Sequence, residues 1–403
     1  MRKGLIAGLC LALVLAWAGG VMAAEVRGVT PTTIKIGQWG PQTGPAALWG
    51  SVARGTGVYF QMLNEEGGIN GRKIEYFLRD DGYQPGRTKA VAKELIENVG
   101  IFGFASGVGT SPGMAVMEDI VKNNLVWVGP ATGSTHWAFP PKKTVFAVYP
   151  NYPDEAAILT NYILFTLKKE KIAFIYQNDD YGKGGLDGAL NEMKAHGKKL
   201  VLEIPVEVTD TDLASHVLKL KEAGAEAVIM WVLPKHAAIL VGTAAKLGYK
   251  PQWVASSTLS DAPLMYNLTK GLWNGVIFGN FAELPDSNDP LMAKYKAAFD
   301  KYADKKSDHW GVFFYAGFGF VEPMVEGMKR AGKDLNPETF VKAMETLKDF
   351  KGIMGKVTFA PGQRQGMREV FLAKCETADI TGPDGKTVKG GKAVRLSDWI
   401  SVK

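Results

Sequence analysis

An α/β protein built on two parallel sheets is the fold this sequence predicts, and three observations predict it. Strand-like runs alternate with helical patterns almost from end to end, the mark of βαβ units. The rhythm breaks at Pro150-Asn151-Tyr152-Pro153 and then restarts, which implies a second sheet. With 403 residues the chain can bury two separate cores.

The first residues stand outside this pattern. Arg2 and Lys3, an apolar stretch from Leu5 to Trp17, and small residues at Val21 and Ala23 predict a cleaved export signal over residues 1–23. The first series then runs through strand Ile34–Trp39, a helix with Val52, Gly55, Tyr59, Met62 and Leu63 on one face, and strand Glu75–Arg79. Helices around Thr88–Asn98 and Gly113–Asn123 alternate with strands Ile101–Ala105 and Val126–Gly129, and Phe146–Tyr149 closes the series.

After the break come helix Asp154–Leu167, strand Lys171–Gln177, helix Gly184–His196, strand Leu200–Val206 and helix Asp212–Ala223. Strand Ala227–Leu233, helix Lys235–Leu247 and strands Trp253–Ala255 and Gly275–Phe281 complete the second series. A second break at Glu283-Leu284-Pro285-Asp286 precedes helices around Pro290–Tyr302, Trp310–Arg330 and Pro337–Leu347. Lys356–Phe359 and Glu369–Lys374 read as a closing hairpin, and Thr381–Gly391 as a Gly/Lys-rich loop.

Charge and motifs exclude several classes. Two of the positive charges behind the net +6 belong to the leader, which leaves a mild +4, and no basic block marks a nucleic-acid surface. Cys10 lies in the leader, so the exported chain holds only Cys375 and can form no internal disulfide. Walker and HExxH motifs are missing, and the histidines at 136, 196, 216, 236 and 309 lack paired metal-ligand spacing. No enzyme activity, cofactor or metal is expected.

The stretch ASGVGTSPG, Ala105–Gly113, poses the sharpest question, because glycines and hydroxyls after a strand can cradle a phosphate or another anion. Its third glycine comes one residue too late for GxGxxG, and it follows a third strand rather than a first. Together with "IKIGQWGPQTGPAALWG", "LNEEGGINGRKIEYFLRDDGYQPGRTKAVAKELI", "FIYQNDDYGKGG" and "VFFYAGFGFVEPMVEGMKRAG", it resembles the periplasmic type I solute-binding proteins, leucine/isoleucine/valine-binding branch.

That resemblance covers essentially the whole exported chain. It implies two doubly wound lobes joined by three hinge crossings, with residues 24–149 and 283–354 in one and 150–282 and 355–403 in the other. It also implies a small carboxylate-bearing ligand held between the lobes, a periplasmic location, a monomer, and the permease subunits of an ABC transporter as partners. A ligand-dependent sensor on the same fold is the alternative, although the sequence offers no signalling segment after the ligand-binding region.

Residue by residue, Thr110 and Ser111 match the family's carboxylate loop, and Ala131, Thr132 and Gly133 match the loop beside it. Capping of the helix at Pro112 is the competing role for Thr110 or Ser111. Trp49 matches an aromatic over the ligand, Tyr181 a tyrosine that covers it, and Trp310 an aromatic near the side-chain pocket, while Trp39 can equally fill a core. Two positions depart from the family. Leu233-Pro234 replaces a tyrosine-proline pair, and Ser256-Ser257-Thr258 stands where amino-acid binders carry a glutamate for the ligand ammonium. Ser257 is therefore a candidate contact in a site suited to an acid or amide without an amino group. Asp80, Asp81 or Glu203 could supply an acceptor by another route.

Overall fold

The structure is a computed structural model that describes residues 26–381 and 386–401. The predicted export signal, 1–23, lies outside the described residues. The first lobe is formed by β1 (Thr33–Trp39), α1 (Ser51–Glu65), β2 (Lys73–Arg79), α2 (Pro85–Glu94), β3 (Gly103–Ala105), α3 (Thr110–Lys122), β4 (Val126–Val128) and β5 (Val145–Phe146). The second begins with α4 (Tyr152–Asn161), β6 (Ile172–Gln177), α5 (Asp180–Ala195), β7 (Leu202–Val206) and α6 (Ala214–Glu222). It continues through β8 (Ala227–Trp231), α7 (Pro234–Lys246), β9 (Gln252–Ala255), α8 (Ala262–Leu268) and β10 (Ile277–Asn280). Helices α9 (Pro290–Tyr302), α10 (Val312–Gly319), α11 (Glu322–Ala331) and α12 (Pro337–Met344) return to the first lobe. Strands β11 (Glu369–Thr381) and β12 (Thr387–Arg395) then extend the second sheet.

Both sheets repeat one topology. The first has the order β2-β1-β3-β4-β5, and the second β7-β6-β8-β9-β10 followed by antiparallel β11 and β12. In each, the second strand of the series sits outside the first, so the chain reverses direction across the sheet there. A doubly wound sheet opens a crevice at that switch point, at the carboxyl ends of its strands. Strand β8 is buried along its whole length, as a parallel strand covered on both faces requires.

Helix α10 lies against α1 at unusually close range. A Cβ on Gly55 would fall 2.0 Å from the Phe314 carbonyl oxygen, and one on Gly317 would fall 2.1 Å from that of Val52. The Thr56 hydroxyl donates across the same contact to the Gly317 carbonyl at 3.0 Å. In the second sheet, β11 carries Cys375, the single thiol among the described residues, fully buried with its ionisation pushed up to about 12 by burial.

Three expectations need correction. The closing hairpin is β11 with β12, paired from Ala373–Arg395 to Thr381–Thr387, while Lys356–Phe359 makes only an isolated bridge from Val357 to Phe350. Of the stretch read as a loop, Thr381 and Thr387–Gly391 are strand: Gly391 sits there because a Cβ would meet the Ala262 carbonyl oxygen at 2.6 Å, so glycine lets α8 cover the sheet. The single helix expected over Trp310–Arg330 is two, since Pro323 near the start of α11 cannot donate back into a continuous helix. Finally, residues just beyond 354 hold to the first lobe. Arg364 pairs with Glu345 at 2.7 Å and Ala147 bridges to Gln365, which places the third crossing after Gln365.

Gln365 also ties two crossings together, donating to the carbonyls of Tyr149 and Met367 at 2.7 and 2.6 Å.

Candidate ligand-binding site

Loops from both switch points meet in one small cavity between the lobes. The first lobe supplies Ala46 and Trp49 after β1, Tyr83 after β2, Val108, Gly109 and Thr110 after β3, and Ala131 after β4. The second supplies Tyr152 at the start of α4, Tyr181 after β6, Val232 and Leu233 after β8, and Thr258 after β9. The space they enclose is about 30 Å³. That is room for a water or two and not for an organic acid, so the lobes stand closed and must part to admit one. A wider groove of about 910 Å³ lies beside Arg72, Phe102 and Leu125, at the opposite ends of the first-lobe strands.

The glycine-rich stretch is shaped by aromatic rings. Gly107 and Gly109 have φ of 97° and 102°, and Cβ atoms there would sit 2.5 Å from the Trp39 ring and 2.6 Å from the Tyr83 ring. Trp39 itself is fully buried against Phe104 and Trp127 and belongs to the core. Gly109 is the N-cap of α3 with no side-chain capping bond, so neither hydroxyl after it caps the helix. Instead Thr110 Oγ1 lies 2.6 Å from Thr132 Oγ1.

Ser111 turns the other way. Its hydroxyl donates across the cleft to Asp179 Oδ2 at 3.1 Å, outside the cavity wall. Asp179 caps α5 by accepting from the amides of Tyr181 and Gly182, and Gln177 donates to it at 2.7 Å. Burial pushes its carboxyl above the usual range despite these bonds.

The other expected contacts divide in the same manner. Trp49 lines the cavity and donates from Nε1 to the Thr258 carbonyl at 3.1 Å, a second bond across the cleft. The Tyr181 hydroxyl meets Thr258 Oγ1 at 2.6 Å. Ala131 and Leu233 contribute apolar wall, but the Ala131 amide is already engaged by the Gly107 carbonyl at 2.9 Å. Thr132 stands behind Thr110, and its carbonyl accepts from Trp137 Nε1 at 3.1 Å. Gly133 shapes the crossing instead of the wall, because a Cβ there would lie 2.1 Å from the Pro150 carbonyl oxygen.

Ser257 and Trp310 are not in the wall. The Ser257 hydroxyl donates to Glu155 at 2.8 Å and contacts the Tyr149 hydroxyl at 2.8 Å, and its amide also donates to Glu155. A buried carboxylate thus draws the serine away from the cavity. Trp310 packs on Phe299 and Tyr315 and donates to the Pro285 carbonyl at 3.1 Å, held by the apolar surface of α9 and α10.

Sequence reasoning passed over Ala46, Tyr83, Val108, Gly109, Tyr152 and Val232 as contacts. Tyr152 was legible only as part of a Pro-flanked crossing. Asp80 is engaged by Thr43 and Arg87, Asp81 by Thr88 and the Tyr83 amide, and Glu203 is exposed. None of the lining residues among those described carries a charge. No cluster of three or more metal-ligating side chains occurs among the described residues either.

A sequence model of the family described as "Periplasmic binding protein" matches residues 33–382. The chain belongs to the periplasmic binding protein family. Relatives of this binding protein include the "Leu/Ile/Val-binding protein homolog 1" of Brucella suis, 26% identical over 89% of this chain and 92% of the relative. The "Leucine-, isoleucine-, valine-, threonine-, and alanine-binding protein" of Pseudomonas aeruginosa is 24% identical over 77% and 82%. Among solved structures, a branched chain amino acid ABC transporter protein from Thermus thermophilus with bound valine superposes with a TM-score of 0.82. It is 19% identical over 93% of this chain and 98% of that one. A solute binding protein from Rhodopseudomonas palustris in complex with 3,4-dihydroxy benzoic acid gives 0.77 at 19% identity, over 92% and 97%. The binding protein therefore has the type I fold, two doubly wound lobes joined by three crossings.

Proposed function

We propose that this chain is the periplasmic substrate-binding component of an ABC importer, and that its solute is a small carboxylate with an apolar or aromatic remainder and no ammonium group. The observation that carries the reading is the uncharged wall: four aromatic rings, aliphatic side chains and two threonine hydroxyls, with no carboxylate among them. A closed cleft cannot hold an unpaired ammonium without a large desolvation cost. A carboxylate, by contrast, is accommodated by the amide end of α3 and the Thr110 hydroxyl. The protein acts as a monomer without catalysis, and the closed form is what the permease recognises.

The test is a thermal-shift panel with the exported chain. Benzoate, hydroxybenzoates or short-chain acids are expected to raise the melting temperature, since a solute that binds only the folded state stabilises it. Leucine, isoleucine and valine are expected to leave it unchanged. The relatives' names point to those amino acids, and tight calorimetric binding of any of them would overturn the assignment. For a carboxylate found by the panel, Thr110→Val is expected to weaken binding about tenfold, or about 1.4 kcal/mol, in line with one lost hydrogen bond to a charged group. An unchanged titration would remove Thr110 from the site.

A further inference from the structure

A second set of contacts joins the lobes away from the cavity. Asp261, on the second lobe, is fully buried at its side chain and caps α8 by accepting from the Leu264 amide at 3.1 Å. The same carboxylate accepts from the Phe313 amide at the start of α10, at 3.1 Å, and lies 3.2 Å from His309 Nε2. Both of these belong to the first lobe. Between them, Gly311 leaves the carboxylate its space: a Cβ at that position would fall 2.3 Å from Asp261 Oδ2. None of these residues lines the cavity.

The geometry points to Asp261 as a positioning residue that latches the closed lobes, so that solute affinity is set in part from a place no solute touches. When the lobes part, Asp261 keeps its bond within α8 and loses those to His309 and Phe313. Closure restores both, and every gain in the closed population raises apparent affinity in proportion. The latch does not depend on which solute binds.

Its other half is titratable. The groups facing His309 are Asp261, Asp308 and Arg54, the last two paired with each other at 2.8 Å, while the Tyr315 hydroxyl nearby donates to the Glu283 carbonyl at 2.7 Å. Burial alone would lower the imidazole, but the bond and charge of Asp261, with Asp308 behind it, prevail over burial and Arg54 and raise it above 6.5. A group whose ionisation is raised on closure contributes fully below its open-state value. That contribution is lost as pH climbs through the closed-state value. The latch therefore tightens in mild acid and loosens in mild alkali.

The experiment uses the full exported chain without added solute, following hydrogen exchange of the Phe313 amide and the radius of gyration between pH 5.5 and 8.5. In the parent, protection of Phe313, corrected for intrinsic exchange, is expected to fall several-fold across that range as the radius grows. Asp261→Asn keeps a good helix cap but should lower the protection at least tenfold at pH 6 and flatten its pH dependence. His309→Gln should flatten the dependence with a smaller loss. Should exchange in α8 show that Asp261→Asn unfolds the cap, His309→Gln decides the matter. Unaltered protection and radius in His309→Gln across the range would overturn the latch. A solute panel that fails would overturn the carboxylate reading and leave this result standing.

Discussion

Gly317→Ala is expected to lower folding stability by about 2–3 kcal/mol, the upper part of the usual range for overpacking a close contact. The added methyl would meet the Val52 carbonyl oxygen at 2.1 Å and the Thr56 amide nitrogen at 2.6 Å, which are backbone atoms and cannot rotate aside. Relief requires α1 and α10 to separate. That movement would stretch the bond from Thr56 to the Gly317 carbonyl and loosen the buried rings of Tyr59, Phe314 and Phe318 around it. Gly242→Ala in α7 is the control, because nothing lies within 4 Å of its Cβ and alanine favours a helix interior by roughly 0.5–1 kcal/mol. Urea unfolding followed by tryptophan fluorescence should move the two midpoints in opposite directions. Equal midpoints would mean that the close crossing contributes nothing.

Stability should also fall as pH rises from about 4.5 to 7, through two buried carboxyls. Glu155 accepts from the amide and hydroxyl of Ser257, and Glu322 accepts from the Tyr295 hydroxyl at 2.5 Å and the Ile353 amide at 3.0 Å. Burial outweighs these bonds and raises each from 4.5 to about 7. Within that interval the folded chain holds protons that the unfolded chain has released, so stability declines with pH and levels off above it. The rise from 4.5 to about 7 corresponds to roughly 3 kcal/mol for each group at most. Exposed carboxyls held low by their partners, such as Asp300 beside Lys296, act in the opposite sense. Urea midpoints at pH 5, 6, 7 and 8 should show the decline in the parent and a flatter profile in Glu155→Gln and Glu322→Gln. A parent profile that rises steadily to pH 8 would show that the exposed groups dominate.

Fold and site were unevenly legible in the sequence, for physical reasons. Strand-helix alternation and the prolines at 150 and 153 carry local information, and they led to both lobes and the first crossing. The β11–β12 hairpin was hidden because Gly390 and Gly391 read as loop residues, whereas Gly391 is glycine for the sake of α8 packing above it. Within the site, the loops after strands were predictable from sheet topology, but the direction of each side chain was not. Ser111 and Thr110 are neighbours, yet Asp179 draws one across the cleft and Thr132 holds the other at the wall. Ser257 was lost from the wall to Glu155, which lies 102 positions away in the chain. Of the aromatics that the resemblance singled out, Trp49 and Tyr181 line the cavity, while Trp310 lies outside its wall, packed on Phe299 and Tyr315.

The buried sulfur on β11 makes this protein a convenient host for fluorescent reporters. With Cys375 inaccessible and its thiolate suppressed, a cysteine introduced on the rim of either lobe would be the one thiol among the described residues that reacts with a maleimide dye under native conditions. A dye placed there would report the opening and closing of the cleft directly, in solution, with Cys375 left in place.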